Sequence, residues 1–179
     1  MTRLRIRDRV MDLAATERVF VAVARTATLA TIAPDGRPRL IPICFVLERA
    51  APVVWTPLDD KPKRSDDPHD LARVRDIVAR PAVSIIVDRW DEDWDRLAWV
   101  RIHGQATLAE PGTADHEVAV SALRAKYPRY ADHRLESRPM IRIVIESATS
   151  WGAINPADPS RTAYIQGGIH LPKSRFRGV

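Results

Sequence analysis

The chain has 179 residues and a mass of 20.1 kDa, which fits one ordinary domain and leaves little room for a second. Its residues are 45% hydrophobic and 28% charged, enough to bury a real core, so a wholly disordered or fibrous protein is excluded. The net charge of +5 permits an anionic partner such as phosphate, a polyanionic cofactor or nucleic acid, and does not choose among them.

Two features of the sequence bear on where the protein works. The longest apolar runs, such as 40–47, are far shorter than the ~18 to 20 residues that span a bilayer, so we expect no transmembrane helix. The N-terminal residues lack the apolar stretch of a secretory signal, and Cys44 has no second cysteine with which to form a disulfide. We therefore expect a cytoplasmic protein in which Cys44 is a small buried hydrophobic residue.

The first third of the chain predicts one helix followed by a β-meander. Apolar residues recur near the 3.6-residue period of a helix over 7–24. β-Branched and apolar segments on either side of the turn residues 34–38 predict a hairpin over 28–48, and 53–56 predicts a third strand. Pro42 cannot donate a hydrogen bond to a neighbouring strand, so we expect it at a sheet edge or a bulge.

The middle of the chain predicts a loop, a helix and a strand, followed by an acidic segment. The loop over 57–68 has no apolar periodicity, 71–78 has the spacing of a short helix, and 83–87 is typical of a buried strand. The segment 88–95 holds five acids and two tryptophans, which either lie in an exposed loop or cover the core. These tryptophans are Trp90 and Trp94.

The most informative segment is 97–108, which alternates with the period of a strand. One face carries Ala98, Val100, Ile102, Gly104, Ala106 and Leu108. The other face carries Trp99, Arg101, His103, Gln105 and Thr107. The first face predicts a side buried in the core. The second predicts a surface that meets a ligand or a partner subunit, although a solvated outer face fits the pattern equally well.

The last part of the chain predicts a helix, a closing strand and a tail. Thr113 is a candidate cap for a helix over 115–127. The residues expected to face inward from this helix are Val118, Ala119, Ala122 and Leu123. The alternation in 140–146 predicts a final strand, and a shift to Pro, Gly and Arg predicts an irregular tail over 154–179 after a single domain over 1–153. Six antiparallel strands interrupted by helices predict a small, mainly β barrel.

Motifs of several enzyme classes are missing from the sequence. The five histidines show no HExxH spacing, and there is no GxSxG elbow, P-loop or GxGxxG fingerprint, which disfavours a metalloenzyme, a hydrolase, a kinase and a Rossmann dehydrogenase. What remains is a cationic group that can hold phosphate: Lys61, Lys63 and Arg64 after Thr56, with Arg73 on the next helix. From composition alone, a solvated loop balanced by its four aspartates is the favoured alternative.

Four stretches of the sequence together resemble a known family. They are TATLATIAPDGRPRLIPICFVL, VVWTPLDDKPKR, LARVRDIVARPAVSIIVD and DEDWDRLAWVRIHGQATL. The set is similar to the split β-barrel flavin and deazaflavin proteins related to pyridoxamine 5'-phosphate oxidase, and more narrowly to their actinobacterial coenzyme F420-dependent branch, over residues 10 to about 151. The resemblance implies a split β-barrel of about six antiparallel strands with flanking helices, of the FMN-binding type. It also implies a homodimer with two cofactor sites at the subunit interface.

The resemblance further implies roles for particular residues. The cofactor phosphate would be held by Thr56, Lys61, Lys63 and Arg64, with Arg73 where simpler relatives have a lysine. The tricyclic ring would be lined by Pro42, Ile43 and Trp55, and the cofactor site would be completed near the interface by Trp99 and Arg101. Asp76 stands where relatives commonly have asparagine. A cofactor that transfers hydride needs placement and electrostatics more than a nucleophile, so the missing catalytic constellation is expected.

Three functions fit these features. The first is an F420-dependent reductase that moves a hydride between the cofactor and an unsaturated organic substrate. The second is an FMN-binding oxidase, and the third is a non-catalytic protein that binds flavin, deazaflavin or a tetrapyrrole. We prefer F420, because the basic loop offers several cations along an extended path for a polyglutamate tail, whereas FMN ends at its phosphate. We expect neither nucleic acid nor a membrane among the partners.

Overall fold

The computed structural model of the protein describes residues 13–58 and 67–155, which form one curled sheet with three α-helices. The strands are β1 Ala27–Ile32, β2 Pro38–Ile43, β3 Val46–Leu47, β4 Val53–Pro57, β5 Ala82–Arg89, β6 Ala98–Ala109 and β7 Met140–Gly152. The helices are α1 Ala15–Val23, α2 Ala72–Ala79 and α3 Ala114–Lys126. Short 3-10 helices span Pro68–Asp70, Trp94–Arg96, Pro128–Asp132 and Leu135–Ser137.

The seven strands are ordered β2-β1-β5-β6-β7-β4-β3, and all neighbours are antiparallel. β2 and β3 end this order on opposite sides, yet only Cys44 and Phe45 separate them in the chain. The two edges of the sheet are therefore drawn together at these two residues, and the sheet curls into a half-closed barrel. The predicted mainly β split barrel is confirmed, with seven strands instead of six, and Pro42 lies on an edge strand as expected.

Two apolar clusters hold the sheet and helices together. The inner core fills the curl of the sheet, where Leu29, Val100 and Ile143 pack with Phe20 of α1 and Ile77 of α2. The α3 core lies on the other side of β3, β4 and β7 and joins Val46, Trp55 and Met140 to Leu123 and Tyr127. Because α3 covers only those strands, the outer side of the remaining sheet has no helix over it in the described part of the chain.

The predicted alternation along β6 is confirmed: one face of the strand is packed in the core and the other faces the surface. Its residues Ala98, Val100, Ile102, Gly104 and Ala106 are buried, and Leu108 is half-buried. Between His103 and Gly104 the pairing with β7 shifts by one residue, from Ser147 to Ile145. A Cβ on Gly104 would lie 2.2 Å from the carbonyl oxygen of Val144, so only glycine fits at this bulge.

The structure corrects several predicted element boundaries. In the described residues the first helix begins at Ala15, where the carboxylate of Glu17 accepts a hydrogen bond from the N–H of Ala14; the predicted residues 7–12 lie outside the described chain. The predicted strand 39–48 is divided into β2 and β3 at the seam of the barrel. The final strand extends to Gly152 instead of 146, because β6 pairs with it along its whole length. The tail predicted from 154 is outside the described residues from 156 onward.

Two side-chain expectations were wrong, those for Val118 and Cys44. Val118 is 65% exposed, and the buried positions on α3 include His116 and Val120 instead. His116 can be buried because its Nε2 lies 2.8 Å from the carbonyl oxygen of Arg138. Cys44 is half-buried at the seam and not fully buried.

The acidic segment between β5 and β6 is an exposed loop. Trp90 and Trp94 are 69% and 74% exposed, so neither covers the core and the exposed alternative holds. Asp93 caps the 3-10 helix Trp94–Arg96, and Asp91 pairs with Arg96 at 3.0 Å. These acids therefore build the turn that leads into β6.

Candidate functional site

The outer side of β2, β1, β5, the first half of β6 and the end of β7 has no described helix over it, and we name it the open face. The register of the strands aligns its residues in rows across the sheet. One row is Pro42, Thr28, Ile86, Arg101 and Thr149, and the next is Leu40, Ala30, Ser84, His103 and Ser147. Leu40 is 66% exposed and Trp151 50% exposed, so the face presents apolar as well as polar groups to solvent.

Trp99 and Arg101 lie together on the open face. The guanidinium carbon of Arg101 is 5.8 Å from the centre of the Trp99 ring, a cation–π distance. Trp99 is half-buried between Asp88 of β5 and Trp151 of β7, whereas Arg101 is exposed. No described carboxylate lies within ion-pair distance of Arg101.

Ser84 and His103 form a second polar pair on the open face. The hydroxyl of Ser84 is 2.8 Å from Nδ1 of His103, across the β5–β6 ladder. His103 was expected on this face, but its contact with Ser84 was not, because register between strands distant in sequence cannot be read from either strand alone. The alternation of Ser84 with Ile86 and Asp88 was the only signal available in the sequence.

The end of β4 forms a different part of the candidate site. Thr56 is 2% exposed, and the carbonyl of Leu58 two residues later accepts a hydrogen bond from Nε of Arg138 at 2.7 Å. The chain is next described at Asp67, whose carboxylate accepts a hydrogen bond from the N–H of His69 at 2.8 Å and caps Pro68–Asp70. Lys61, Lys63 and Arg64 lie outside the described residues, so the structure describes only the ends of the basic loop.

The described residues next to the ends of that loop include one hydroxyl and two cations. Thr56 precedes it, half-buried Arg73 lies in the first turn of α2, and Arg138 contacts Leu58. Arg138, which the sequence did not single out, also acts on Asp67 electrostatically. Hydroxyl and guanidinium donors of this kind fit a phosphorylated cofactor in their chemistry.

His69 ties the far end of the loop to the turn after β6. Its ring nitrogens lie 2.9 Å from Oδ1 of Asp67 and 3.2 Å from Oε1 of Glu110. These side-chain hydrogen bonds, with Asp67 first, raise the pKa of His69 above its ordinary value. The N–H of His69 lowers the pKa of Asp67 in turn.

Asp76 anchors α2, which carries Arg73, to the β1–β2 hairpin. This carboxylate is 2% exposed, and its Oδ2 accepts hydrogen bonds from the Thr31 hydroxyl and from Nε of Arg39, both at 2.8 Å. A charged residue is therefore accommodated where relatives commonly have asparagine, because Arg39 supplies the opposite charge.

The structure separates the residues that the resemblance grouped around the ring. Pro42 faces outward on β2 and Ile43 faces the inner core. Trp55 is 3% exposed in the α3 core, where its Nε1 donates to Glu48 at 3.1 Å and the Arg142 guanidinium lies 5.8 Å from its ring centre. A shared ring-lining surface of these residues stays a prediction.

The seam between β2 and β3 holds an unusual lysine. Nζ of Lys126 is buried without a hydrogen-bond acceptor among the described residues, 4.1 Å from the centre of the Phe45 ring. Burial, and then the charge of Arg25, lower the pKa of Lys126 to about 8. The neighbouring Tyr127 hydroxyl accepts a hydrogen bond from the N–H of Phe45 at 3.1 Å, and burial raises its pKa to about 12.

Two further properties concern only the described residues. In 13–58 and 67–155, no group of three or more His, Cys, Asp or Glu side chains is placed to hold a metal ion. Within the same ranges, no helix combines the length and the apolar composition needed to cross a membrane.

A half-closed, antiparallel seven-stranded sheet with flanking helices defines the architecture as a split β-barrel. The family model described as pyridoxamine 5'-phosphate oxidase matches residues 13–152, and the chain belongs to this family. No curated protein matches the sequence.

Solved structures with the same fold carry different descriptions. A conserved hypothetical protein from Mycobacterium tuberculosis is 24% identical, with a TM-score of 0.62 over 82% of this chain and 89% of the other. An FAD-binding protein from Mesorhizobium loti is 20% identical, with a TM-score of 0.54 over 77% and 92%. The heme storage protein HutZ from Vibrio cholerae is 16% identical, with a TM-score of 0.57 over 79% and 94%. At these identities the likeness concerns the fold alone.

Proposed function

We propose that this protein is a homodimeric F420-dependent oxidoreductase that transfers a hydride between the deazaflavin and an unsaturated organic substrate. The observation that carries the proposal is the set of donors around the ends of the basic loop: the Thr56 hydroxyl before it, and Arg73 and Arg138 beside it. Together with Lys61, Lys63 and Arg64 in the loop itself, they provide cations for a phosphate and for an acidic tail beyond it.

In this proposal the chain's own residues place and orient the cofactor. Thr56, Lys61, Lys63, Arg64 and Arg73 bind its phosphate, and Pro42, which faces outward on β2, lies against its ring. When bound, the reduced deazaflavin supplies the hydride. Trp99 faces the second copy across the open face, where it closes the site and excludes water.

The open face supports the homodimer. It exposes Leu40, Ile86 and Trp151 in a sheet surface that no described helix covers. A monomer rarely leaves a sheet face with several exposed large apolar side chains in water, and a second copy of the same face covers it with twofold symmetry. The cofactor site would then lie between the two subunits.

Two other functions have an observation in their favour. An FMN-binding oxidase fits the same phosphate donors, and one structural relative is described as FAD-binding. A non-catalytic tetrapyrrole-binding protein is favoured by the relative described as a heme storage protein. Neither alternative explains why three cations, Lys61, Lys63 and Arg64, follow Thr56 in the loop.

The basic loop is tested by removing its lysines one at a time. We expect Lys63→Ala to weaken F420 binding by about 1 to 3 kcal/mol, because one charge-assisted contact to phosphate is lost. Lys61→Ala should act in the same direction. The measurement is isothermal titration of the apoprotein with F420, with thermal unfolding to show that each variant is folded.

Arg37→Ala is the matched control. Its side chain is 85% exposed in the β1–β2 turn and pairs only loosely with Asp35 at 3.5 Å, so Arg37→Ala removes one exposed cation that belongs to no part of the proposed phosphate site. If F420 affinity is unchanged in both lysine variants, the loop does not bind the phosphate and is only a solvated surface loop. If Arg37→Ala weakens F420 binding as much as the lysine variants do, the loss reflects the net charge of the protein and not a contact made by the loop.

A further inference from the structure

The open face carries an arginine that pairs with no carboxylate among residues 13–58 and 67–155. Arg101 is exposed and stacked on Trp99, and no described acid forms an ion pair with it. A guanidinium beside an aromatic ring keeps its in-plane N–H groups available to bind a carboxylate in bidentate fashion. Trp99 and Arg101 together therefore offer an aromatic surface and a cation to one ligand.

His103 is the next residue on the same face of β6, and Ser84 holds it. Same-face neighbours on a strand are roughly 7 Å apart, so the side chains of Arg101 and His103 can reach one small ligand. Because Nδ1 of His103 is engaged by the Ser84 hydroxyl at 2.8 Å, Nε2 is the ring nitrogen left for a ligand. When the Ser84 hydroxyl donates to Nδ1, Nε2 carries the proton and donates to the ligand.

Arg101 lies far from the phosphate donors of its own chain. Thr56 pairs with Ile141 of β7, and Ile141 pairs with Leu108 of β6. From Leu108 to Arg101 is seven residues along β6, roughly 23 Å at the rise of an extended strand. Thr56 and Arg101 of the same subunit are therefore too far apart to bind the same phosphate group.

We propose that Trp99, Arg101 and His103 form a binding site for a flat organic carboxylate, with Ser84 as the residue that positions His103. This rests on the proposed function in one respect, that a substrate binds beside a cofactor between two copies of the chain. It assigns Arg101 to the substrate carboxylate instead of to the cofactor. Ligand binding itself requires no cofactor.

The test is calorimetric titration of the full-length apoprotein with 2-naphthoate, with neutral 2-naphthamide and inorganic phosphate as comparison ligands. The wild type should bind 2-naphthoate at least tenfold more tightly than the amide, and more tightly than phosphate. Arg101→Gln should weaken naphthoate binding at least tenfold. Arg142→Gln is the matched control, because its guanidinium also lies 5.8 Å from a tryptophan ring, that of buried Trp55.

Ser84 has its own readout as a positioning residue. Ser84→Ala should weaken naphthoate binding several-fold without changing the melting temperature, and Ser84→Thr, which keeps the hydroxyl, should restore it. If Ser84→Thr fails to restore affinity, the hydroxyl does not position His103 and that part of the proposal is wrong.

The two proposals fail separately. Arg101→Gln should leave F420 affinity unchanged, whereas Lys63→Ala should leave naphthoate affinity unchanged. Naphthoate binding that is equal in Arg101→Gln and wild type, or no stronger than that of the amide, overturns the carboxylate site whatever the cofactor result. Loss of F420 affinity in Arg101→Gln would place Arg101 in the cofactor site and overturn its assignment to the substrate.

Discussion

Lys126 is the residue at which burial and charge conflict most clearly. Its ammonium faces the Phe45 ring at the seam, and burial lowers its pKa from 10.5 to about 8. Because the folded state binds this proton more weakly than the unfolded chain, the charged form destabilises the protein below about pH 8. The free energy of unfolding should therefore rise as the pH increases from about 8 to 10.5.

Replacing this lysine should stabilise the protein at neutral pH. We expect Lys126→Met to raise the free energy of unfolding by about 1 to 2 kcal/mol at pH 7. This gain is smaller than the full cost of the lowered pKa, because the lysine is partly solvated and its cation–π contact is lost in the variant. The gain should shrink by pH 10.5. Urea unfolding at the two pH values measures it, and a less stable Lys126→Met at pH 7 would mean that the cation–π contact outweighs desolvation.

At the scale of elements, the bulge in β6 fixes how β7 pairs with it. Gly104 approaches the Val144 carbonyl so closely that a Cβ would lie at 2.2 Å, and the contact is with backbone, which cannot move aside easily. We expect Gly104→Ala to lower the free energy of unfolding by about 3 kcal/mol or more, through overpacking and a disturbed ladder. Denaturant titration measures the loss.

Gly112→Ala is the comparison for this substitution. Gly112 has a φ of +87°, but no atom lies within 4 Å of the position that a Cβ would take, so alanine there meets backbone strain alone, worth about 1 kcal/mol. A loss at Gly104 no larger than that at Gly112 would contradict the steric account of the bulge.

The sequence predicted elements better than the contacts between them. Alternation over 97–108 predicted both faces of β6, and the turn residues 34–38 predicted the first hairpin, because each signal is local. On α3 the same reasoning placed Val118 inside, since apolar patterning could not foresee that the Arg138 carbonyl would provide a partner for buried His116. The site shows the same limit: Trp99, Arg101 and His103 were grouped correctly on one face, but the pairing with Ser84 depends on register between distant strands.

At the scale of the whole molecule, the open face predicts self-association. Leu40 is 66% exposed on β2 within this face, so Leu40→Asp should shift the protein from a dimer of about 40 kDa, twice 20.1 kDa, toward the monomer. Val118→Asp on α3 is the matched control, because Val118 is 65% exposed but lies outside the open face. Sedimentation velocity at micromolar concentration measures the mass in solution of both variants and of the wild type. A wild-type mass near 20 kDa would contradict a cofactor site shared between two subunits.

We propose that the phosphate end of this split barrel serves a deazaflavin. Both F420 and FMN carry a tricyclic ring and a phosphate, and only F420 adds a polyglutamate tail that the remaining cations of the loop would bind. Titration of the purified protein with F420 and with FMN distinguishes them, monitored by tryptophan fluorescence and by the absorbance of retained flavin. We expect the protein to purify without FMN and to bind F420 at micromolar concentration with quenching of its fluorescence. Stoichiometric FMN retained through purification, with no response to F420, would contradict the deazaflavin assignment.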